Sequence, residues 1–421
     1  MSLGFYIIMA AQFFSSLADN ALLVAAIALL IQSDSPTWLT PYLKFFFVIS
    51  YVVLAPYVGA FADRLPKGHV MFVSNLIKIV GCALMLFEVN PLAAYALVGL
   101  GAAAYSPAKY GILTEYLPPA KLVIANGWIE GLTVGSIILG TVLGGVLISA
   151  RVSAHLLGIG APGIDTPAEA AVALIIFVYA AAAIFNLYVP RTGVALKPLP
   201  PSPVDTLRDF YHCCQRLWSD KLGQISLAVT TLFWGAGATL QFIVIEWARA
   251  ALGYDLSKAA ILQGVVAMGI AAGAVLASWR VSLDRAVHVI PLGIAMGFII
   301  IAMNFVSTVG VAIPLMIAIG GLAGFFVVPM NALLQHRGHN LMGAGRSIAV
   351  QNFNENVSIL VMIAVYSALL GAGLSIYTVI VLFGLFMAGA MTGVLVWYRR
   401  NRRVHREEIE ALLEIARSEK H

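Results

Sequence analysis

Charged residues are scarce in this sequence, and their scarcity limits the kind of protein it can encode. Only 11% of the 421 residues are Asp, Glu, Lys or Arg, whereas 61% are hydrophobic and the mean hydropathy is +0.92. Soluble globular domains carry about 25% charged residues. A water-soluble fold is therefore excluded, and the chain is expected to lie in a membrane.

Cysteine and metal-ligand clusters are also sparse. Of the three cysteines, Cys82 lies in an apolar stretch, and Cys213 and Cys214 are adjacent in a polar stretch that we assign below to the cytoplasm. Because that compartment is reducing, we expect free thiols and no disulfide framework. His336 and His339 are spaced like metal ligands but lack supporting Cys or carboxylate residues. We expect neither a metal site nor another cofactor.

Long apolar runs recur along nearly the whole chain. Each is long enough to cross a hydrocarbon layer of about 30 Å as an α-helix, the form that satisfies backbone hydrogen bonds in lipid. The first run is too long for a signal-peptide core and lacks a basic flank, so we expect it to be retained. The sequence predicts twelve transmembrane spans, at 4–31, 42–62, 70–88, 91–112, 124–149, 168–190, 224–248, 257–279, 287–308, 311–333, 347–370 and 374–398.

Basic residues are unevenly distributed over the predicted connections. If the amino terminus is inside, 20 of the 25 Lys and Arg residues fall on the inside of the membrane. Lys78 lies within a span, and the four residues on the outside are Lys44, Arg151, Arg249 and Lys258. The positive-inside rule then predicts that both termini are cytoplasmic. The pI near 9.0 therefore reflects topology and contact with anionic membrane lipids, and nucleic acid is not an expected partner.

One long polar stretch divides the predicted spans six and six. The chain is thus predicted to comprise an N-terminal six-helix half (1–190), a cytoplasmic linker (191–223), a C-terminal six-helix half (224–398) and a basic cytoplasmic tail (399–421).

Short matches recur across this divide at a nearly constant offset. Asp63-Arg64 recurs as Asp284-Arg285, an offset of 221, and Gly99-Leu100 recurs as Gly321-Leu322, an offset of 222. Agreement on one offset indicates an internal repeat. Because six helices separate the copies, the repeats share one topology and are related by an axis along the membrane normal.

Several motifs resemble known transporter families. Residues 59–67, Gly-Ala-Phe-Ala-Asp-Arg-Leu-Pro-Lys, resemble the loop signature of the major facilitator superfamily, Gly-x-x-x-Asp-Arg-x-Gly-Arg, with Pro66 in place of its second Gly. The string Ala-Tyr-Ser-Pro-Ala-Lys-Tyr-Gly at 104–111, with Asp19-Asn20-Ala21-Leu22-Leu23, resembles the LplT family of bacterial lysophospholipid transporters. The similarity extends from the first span through the eleventh.

The resemblance implies a fold and an activity. The implied fold is the all-α major facilitator fold, with two six-helix halves in parallel pseudo-repeat that work by alternating access. Members of the LplT family move lysophospholipids such as lysophosphatidylethanolamine from the outer to the inner leaflet of the bacterial inner membrane, where an acyltransferase re-acylates them. The expected partners are a lysophospholipid, membrane lipids and that acyltransferase, and the expected state is a monomer.

Asp19 is the clearest predicted substrate contact, because an ionisable group within a span is costly unless it meets a cavity or a partner. It pairs with a headgroup amine or a protein cation, or it is a packing acid bonded to neighbouring Ser or Asn. The offset of 222 places Gln241 opposite Asp19; since Gln241 is uncharged, either Arg249 reaches back or Asp19 pairs elsewhere. The predicted substrate-binding set is Asp19, Asn20, Tyr105, Lys109 and Gln241.

Lys109 and Glu130 lie in the inner parts of the fourth and fifth spans. An ammonium can hold a phosphodiester, and a carboxylate can lock the inner ends of helices together. The alternative is a static ion pair near the membrane surface, with the Lys109 side chain extending to water. We treat Lys109 as a phosphate contact and Glu130 as a gating residue, with this alternative open.

The remaining predicted gating residues follow from the signature and from the eleventh span. As the superfamily resemblance implies, Asp63 and Arg64 should bind across to the inner end of that span, which carries Arg346, and hold the outward-facing state; a hydrated turn is the alternative. Asn352 and Glu355 belong to an unusually polar stripe of the same span, and we assign both to the gate.

Two other functions compete with lipid transport. Residues 140–145, Gly-Thr-Val-Leu-Gly-Gly, resemble the antiporter signature Gly-Pro-x-Leu-Gly-Gly, but Thr141 replaces its helix-bending Pro. The alternative is therefore a proton-coupled drug or small-molecule exporter with Asp19 as the proton site. A lipid-modifying enzyme would require a paired nucleophile and base or a metal cluster, which the sequence does not offer, so we expect no enzyme.

Overall fold

The computed structural model describes residues 2–33, 40–158, 160, 163–254 and 256–417. These residues form helices and turns, with no strand among them. Their α-helices are α1 (Leu3–Gln32), α2 (Thr40–Val53), α3 (Ala55–Arg64), α4 (Lys67–Leu86), α5 (Pro91–Tyr116), α6 (Leu122–Ile148), α7 (Ala150–Leu157), α8 (Pro167–Leu187), α9 (Pro203–Ser219), α10 (Gly223–Leu252), α11 (Leu256–Arg280), α12 (Ile290–Ala302), α13 (Val309–Met342), α14 (Ala344–Gly371), α15 (Ile376–Val404) and α16 (Arg406–Arg417).

The predicted spans coincide with these helices. The second span corresponds to α2 and α3 together, and the ninth to α12 with the short 3₁₀ turns that flank it. In the described part of the chain, ten helices are long and apolar enough to cross a membrane, or eleven if α2 and α3 form one bent span. α5, with 26 residues, is not among them. The all-α multi-pass architecture is confirmed, while the number twelve stays a prediction.

A bend of 64° separates α2 from α3, and the sequence analysis did not predict it. Pro56 lies in the first turn of α3. Proline lacks a backbone N–H, and its ring collides with the carbonyl four residues earlier, so the hydrogen-bonded ladder of α2 cannot continue through it. The bend thus starts a separate short helix whose last turn carries Asp63 and Arg64.

Local capping signals set the ends of several helices. The Thr166 hydroxyl accepts from the backbone N–H of Glu169, and the Glu169 carboxylate accepts from the backbone N–H of Thr166, so the pair forms a capping box at the start of α8. Gly253, with a φ of 64°, ends α10 in the left-handed region that favours glycine. These caps fix where α8 begins and where α10 ends.

Two compact units make up the chain. Unit 1 comprises 1–115, 135–211 and 343–352, and unit 2 comprises 116–134, 212–342 and 353–421. Unit 1 therefore includes the start of α14, and unit 2 includes the start of α6. The division into two six-helix halves around 191–223 stays a prediction.

In unit 1, α8 packs against both α1 and α4. α6 approaches α1 so closely that a Cβ atom at Gly140 would lie 2.6 Å from the Leu17 carbonyl oxygen, and one at Gly144 would lie 2.7 Å from the Ala21 carbonyl oxygen. Only glycine permits such backbone contact between helices. The middle of α1, which carries Asp19, is thereby enclosed by α4, α6 and α8.

In the described part of unit 2, α11 and α13 pack extensively against each other. A Cβ atom at Gly273 would overlap the carbonyl oxygen of Gly321, and one at Gly324 would overlap that of Ile270. The two backbones are in direct contact, so van der Waals packing over small residues is what joins these helices.

We predict that Gly273→Val destabilises unit 2. The added side chain must displace backbone, and overpacking of this kind costs about 1–3 kcal/mol. The measurement is the midpoint of thermal unfolding of the detergent-solubilised protein. Gly264→Val is the matched control on the same helix, because a Cβ at Gly264 meets nothing within 4 Å. Equal midpoints for the two variants would contradict the packing described for α11 and α13.

Candidate substrate and gating sites

An ion pair between α1 and α4 occupies the middle of unit 1. Asp19 lies about 24 Å from the start of α1, which is about 45 Å long, so it is near the helix centre. The Lys78 ammonium donates to Asp19 Oδ1 at 2.8 Å and to Oδ2 at 2.9 Å. The Tyr179 hydroxyl, on α8, donates to Oδ1 at 2.6 Å. Asp19 therefore has a protein cation as its partner, one of the alternatives that the sequence left open.

Lys78 is more deeply enclosed than the acid it binds. Its third hydrogen bond goes to Ser15 Oγ at 3.0 Å, and Ser15 in turn donates to Asn75 Oδ1 at 2.8 Å. The rings of Tyr105 and Tyr179 lie 4.9 and 5.4 Å from its ammonium, within cation–π range. The side chain of Lys78 is 1% exposed, whereas that of Asp19 is 21% exposed. We call Asp19, Lys78, Ser15, Tyr105 and Tyr179 the central cluster.

Lys78 was missed as a functional residue, although the sequence places it within the third span. Its intramembrane position was the available signal, because a buried lysine requires a partner. Nothing in the sequence shows which acid it faces, since 59 residues separate it from Asp19. Only the packing of α4 beside α1 brings the two together.

The other predicted substrate residues are distributed around the central cluster and beyond it. Tyr105 belongs to the cluster itself. Asn20 donates to the Ser16 carbonyl oxygen at 2.8 Å. Lys109, one turn further along α5, is half-buried, with its ammonium 4.7 Å from the ring of Tyr110. The structure therefore places Tyr105 in direct contact with Lys78, the partner of Asp19. Asn20 follows Asp19 on α1, and Lys109 lies one turn after Tyr105 on α5.

Gln241 belongs to unit 2, and its position opposite Asp19 stays a prediction. Its backbone carbonyl accepts from the side chain of Gln263. Arg249 donates to Glu246 at 3.2 Å. Asp19 itself pairs with Lys78, which is the alternative in which Asp19 pairs elsewhere.

The Asp63 carboxylate caps the start of α14, and both lie in unit 1. Oδ1 accepts from the Gly345 backbone N–H at 2.7 Å, and Oδ2 accepts from the Arg346 backbone N–H at 3.1 Å and from its guanidinium at 3.3 Å. The first N–H groups of a helix have no partner within it and carry a partial positive charge, so a carboxylate is favoured there. Asp63 and Arg346, both predicted to belong to the gate, are in direct contact.

Further charges extend this contact into a network. Lys67, on the first turn of α4, donates to Asp63 at 2.9 Å and pairs with Glu115 at 3.1 Å. Arg346 pairs with Asp209 at 2.7 Å. We call these five residues the signature network. Arg64, which was predicted to take part, is exposed on the surface of α3.

Glycine at 345 is required by this geometry. A Cβ atom at Gly345 would lie 2.6 Å from Asp63 Oδ1 and 2.8 Å from the carbonyl oxygen of Gly59. A Cβ atom at Gly59 would lie 2.7 Å from that of Ala349. α3 and α14 thus meet backbone to backbone, which explains why the signature begins with glycine four residues before its acid.

The remaining predicted gating residues are divided between the two units. Asn352 donates to Ser106 Oγ at 2.8 Å, and this contact belongs to unit 1. Glu130 and Glu355 are buried and belong to unit 2. Their assignment to a gate stays a prediction.

An amide pair in unit 2 was missed by the sequence analysis. Asn126 and Gln335 exchange two hydrogen bonds, each 3.0 Å long, and both side chains are buried. Asn126 is at the start of α6 and Gln335 near the end of α13, so 209 residues separate them. Neither residue is charged, and an uncharged pair gives no signal of mutual attraction in the sequence.

The described residues do not assemble a metal site, because no three His, Cys, Asp or Glu side chains among them are grouped as ligands.

Cys214 lies on α9, outside the membrane-spanning helices. Burial and, to a lesser extent, the neighbouring Cys213 raise the pKa of its thiol to about 11. At neutral pH this thiol is therefore protonated, which is the unreactive form.

Comparison with known proteins identifies the family. The model of the family described as Major Facilitator Superfamily matches residues 8–360. A protein named lysophospholipid transporter LplT from Enterobacter sp. (strain 638) is 42% identical over 400 residues, which cover 95% of this chain and 97% of the relative. A protein of the same name from Yersinia pestis (strain Pestoides F) is 42% identical over 373 residues, 88% of each chain.

Solved structures show the same fold at low identity. The Escherichia coli fucose:proton symporter FucP superposes with a TM-score of 0.70 at 13% identity, over 93% of this chain and 97% of that one. A bacterial homologue of the iron transporter ferroportin, in an outward-facing state, gives a TM-score of 0.67 at 16% identity, over 95% and 99% of the two chains.

We predict that Asp63→Asn loosens the contact between α3 and α14. The variant loses charge-assisted bonds, and contacts of this kind contribute about 1–3 kcal/mol, which corresponds to a roughly 5- to 150-fold shift in an equilibrium. Ala349, buried against Gly59, is replaced by Cys as a reporter in a background with Ser at Cys82, Cys213 and Cys214. The measurement is the rate of maleimide labelling in membranes, which should rise at least fivefold.

The matched control is Asp205→Asn, which removes an acid from an exposed pair with Arg208 on α9. This control should label at the rate of the unsubstituted protein. If Asp63→Asn and Asp205→Asn label alike, Asp63 does not hold α14 against α3.

Proposed function

Because the chain belongs to the LplT family of the major facilitator superfamily, we propose that it transports lysophospholipids by alternating access. The similarity to lysophospholipid transporters over 95% of the chain is the observation that carries this proposal. The direction is from the outer to the inner leaflet of a bacterial inner membrane, with both termini in the cytoplasm. An acyltransferase on the inner side then consumes the transported lipid. The role is transport without catalysis, by a monomer.

The central cluster supplies a polar environment for a lipid headgroup. A phosphoethanolamine group carries one positive and one negative charge, and moving either through hydrocarbon without a partner is costly. The partly exposed carboxylate of Asp19 complements the headgroup ammonium, and Tyr105 and Lys109 lie along the adjoining face of α5. In this proposal, Lys109 holds the phosphate as a point charge.

The signature network supplies a contact that is made in one conformation. Asp63 holds α14 against α3 while the cytoplasmic side is closed, and the substrate enters from the opposite side. When these contacts break, the cytoplasmic side opens and the substrate leaves. A contact that differs between two states biases their populations by its own free energy.

The proposal is tested by uptake of labelled lysophosphatidylethanolamine into spheroplasts that lack their native lysophospholipid transporter. Expression of this chain should give uptake and re-acylation to the diacyl lipid, well above the empty-vector level. Uptake at the vector level, with the protein present in the membrane, would overturn lysophospholipid transport. Altered drug susceptibility of the same strain would then point to the exporter function.

We predict that Asp19→Asn lowers this uptake at least tenfold, compared at equal amounts of inserted protein because the unpaired Lys78 also destabilises the variant. The substitution keeps the shape of the side chain but removes the charge that we assign to the headgroup ammonium. Asp205→Asn, on the exposed surface of α9, is the matched control and should retain full uptake. Wild-type uptake by Asp19→Asn would reduce Asp19 to a packing residue.

Lys109→Ala should act differently. Because the phosphate is common to all lysophospholipid headgroups, we expect the KM to rise about equally for lysophosphatidylethanolamine and lysophosphatidylglycerol, by at least fivefold. Lys121→Ala, at an exposed position, is the control. An unchanged concentration dependence would favour a static role for Lys109 near the membrane surface.

A further inference from the structure

The two charges of the central cluster are unequally accessible. Asp19 is 21% exposed and Lys78 only 1%. A ligand that approaches the cluster therefore meets the acid first and the base behind it. This order is a property of the fold, because the acid is on α1 and the base on α4.

Lys78 has no donor left for a ligand. An ammonium has three N–H groups, and acceptors on Asp19 and Ser15 account for three hydrogen bonds, two of them to the carboxylate. The aliphatic stem is fixed as well, since a Cβ atom at Gly101 would lie 2.7 Å from Lys78 Cγ. The residue thus holds Asp19 in place and is itself held.

Asp19 retains capacity to accept. A carboxylate has about four acceptor sites, and the protein contacts described here are two from Lys78 and one from Tyr179, which leaves Oδ2 with a single donor. The free site belongs to the partly exposed side chain. A headgroup ammonium is the donor that suits it, because a charged donor forms a stronger bond with a carboxylate than a neutral one does.

We propose that Lys78 is a positioning residue, and that the order of acid outside and base inside makes the site prefer lysophospholipids with an amine in the headgroup. Lys78 neutralises and orients the Asp19 carboxylate without touching the substrate. The preferred class is the zwitterionic lysophosphoethanolamines over lysophospholipids whose phosphate is the only charge. This inference rests on the proposed function and deepens it.

The test exchanges the two charges. In the double variant Asp19→Lys/Lys78→Asp the ion pair is retained, but the ammonium is now the more accessible member. Uptake of lysophosphatidylethanolamine and of lysophosphatidylglycerol is measured at equal amounts of folded protein, and the readout is the ratio of their kcat/KM values. We expect this ratio to fall at least tenfold in the exchanged variant, with lysophosphatidylglycerol now preferred.

A neutral pair provides a second, independent variant. Replacing a buried ion pair by neutral groups is often tolerated, whereas removing one partner is strongly destabilising. Asp19→Asn/Lys78→Met should therefore fold and lose the preference, with a ratio near one. The matched control is Asp205→Arg/Arg208→Asp, which exchanges the charges of an exposed pair on α9 and should keep the wild-type ratio.

The outcomes separate this inference from the proposed function. If the wild-type chain takes up neither lipid, the proposed function fails. If the wild type transports but either double variant keeps its ratio, the pair is structural and the inference fails. Loss of both substrates by a folded exchanged variant also overturns it, because an accessible ammonium should still bind the phosphate of lysophosphatidylglycerol.

Discussion

The low polarity of the membrane interior is the constraint on which this structure depends, and the pair of Asp19 and Lys78 is its most direct consequence. Breaking a buried pair by removing one partner costs about 3–5 kcal/mol, because the remaining charge is left uncompensated. Both charges of this pair are therefore matched: the acid has three donors, and the base has three acceptor contacts and two aromatic rings. The packing of α8 on α1 and α4 exists around this matched core.

The signature network also compensates buried charge, but it does so largely with backbone groups. Asp63 is satisfied chiefly by the backbone N–H groups at the start of a helix, which are present whatever side chains that helix carries. This explains why glycine is needed at the contact, since only bare backbone allows the carboxylate to approach. Lys67 and Arg346 then balance the charges of Glu115 and Asp209 around it. The central cluster is thus a fixed pair of side chains, whereas the signature network joins a side chain to a helix end.

The helices were predictable because hydrophobicity acts locally along the chain. The apolar runs became helical, although the second was divided into α2 and α3, and Asp63 and Arg346 were expected to meet on the strength of the signature. The bend at Pro56 was open to prediction as well, since the effect of proline is local. The partner of Asp19 was not, because α1 and α4 come together only through tertiary packing. For the same reason the amide pair of Asn126 and Gln335 gave no signal: uncharged residues 209 positions apart are linked only by the fold.

Asp19 is the accessible member of the central cluster, and Lys78 is the enclosed one. Each is replaced by Cys together with a neutral partner, as Asp19→Cys/Lys78→Met and Asp19→Asn/Lys78→Cys, so that no buried charge is left unpaired. In a background with Ser at Cys82, Cys213 and Cys214, modification by a methanethiosulfonate reagent that carries a trimethylammonium group is then followed. We expect rapid modification of the Cys at position 19 and little modification of the Cys at position 78 under the same conditions, because the first side chain is 21% exposed and the second 1%. Equal modification at the two positions would contradict this difference in accessibility.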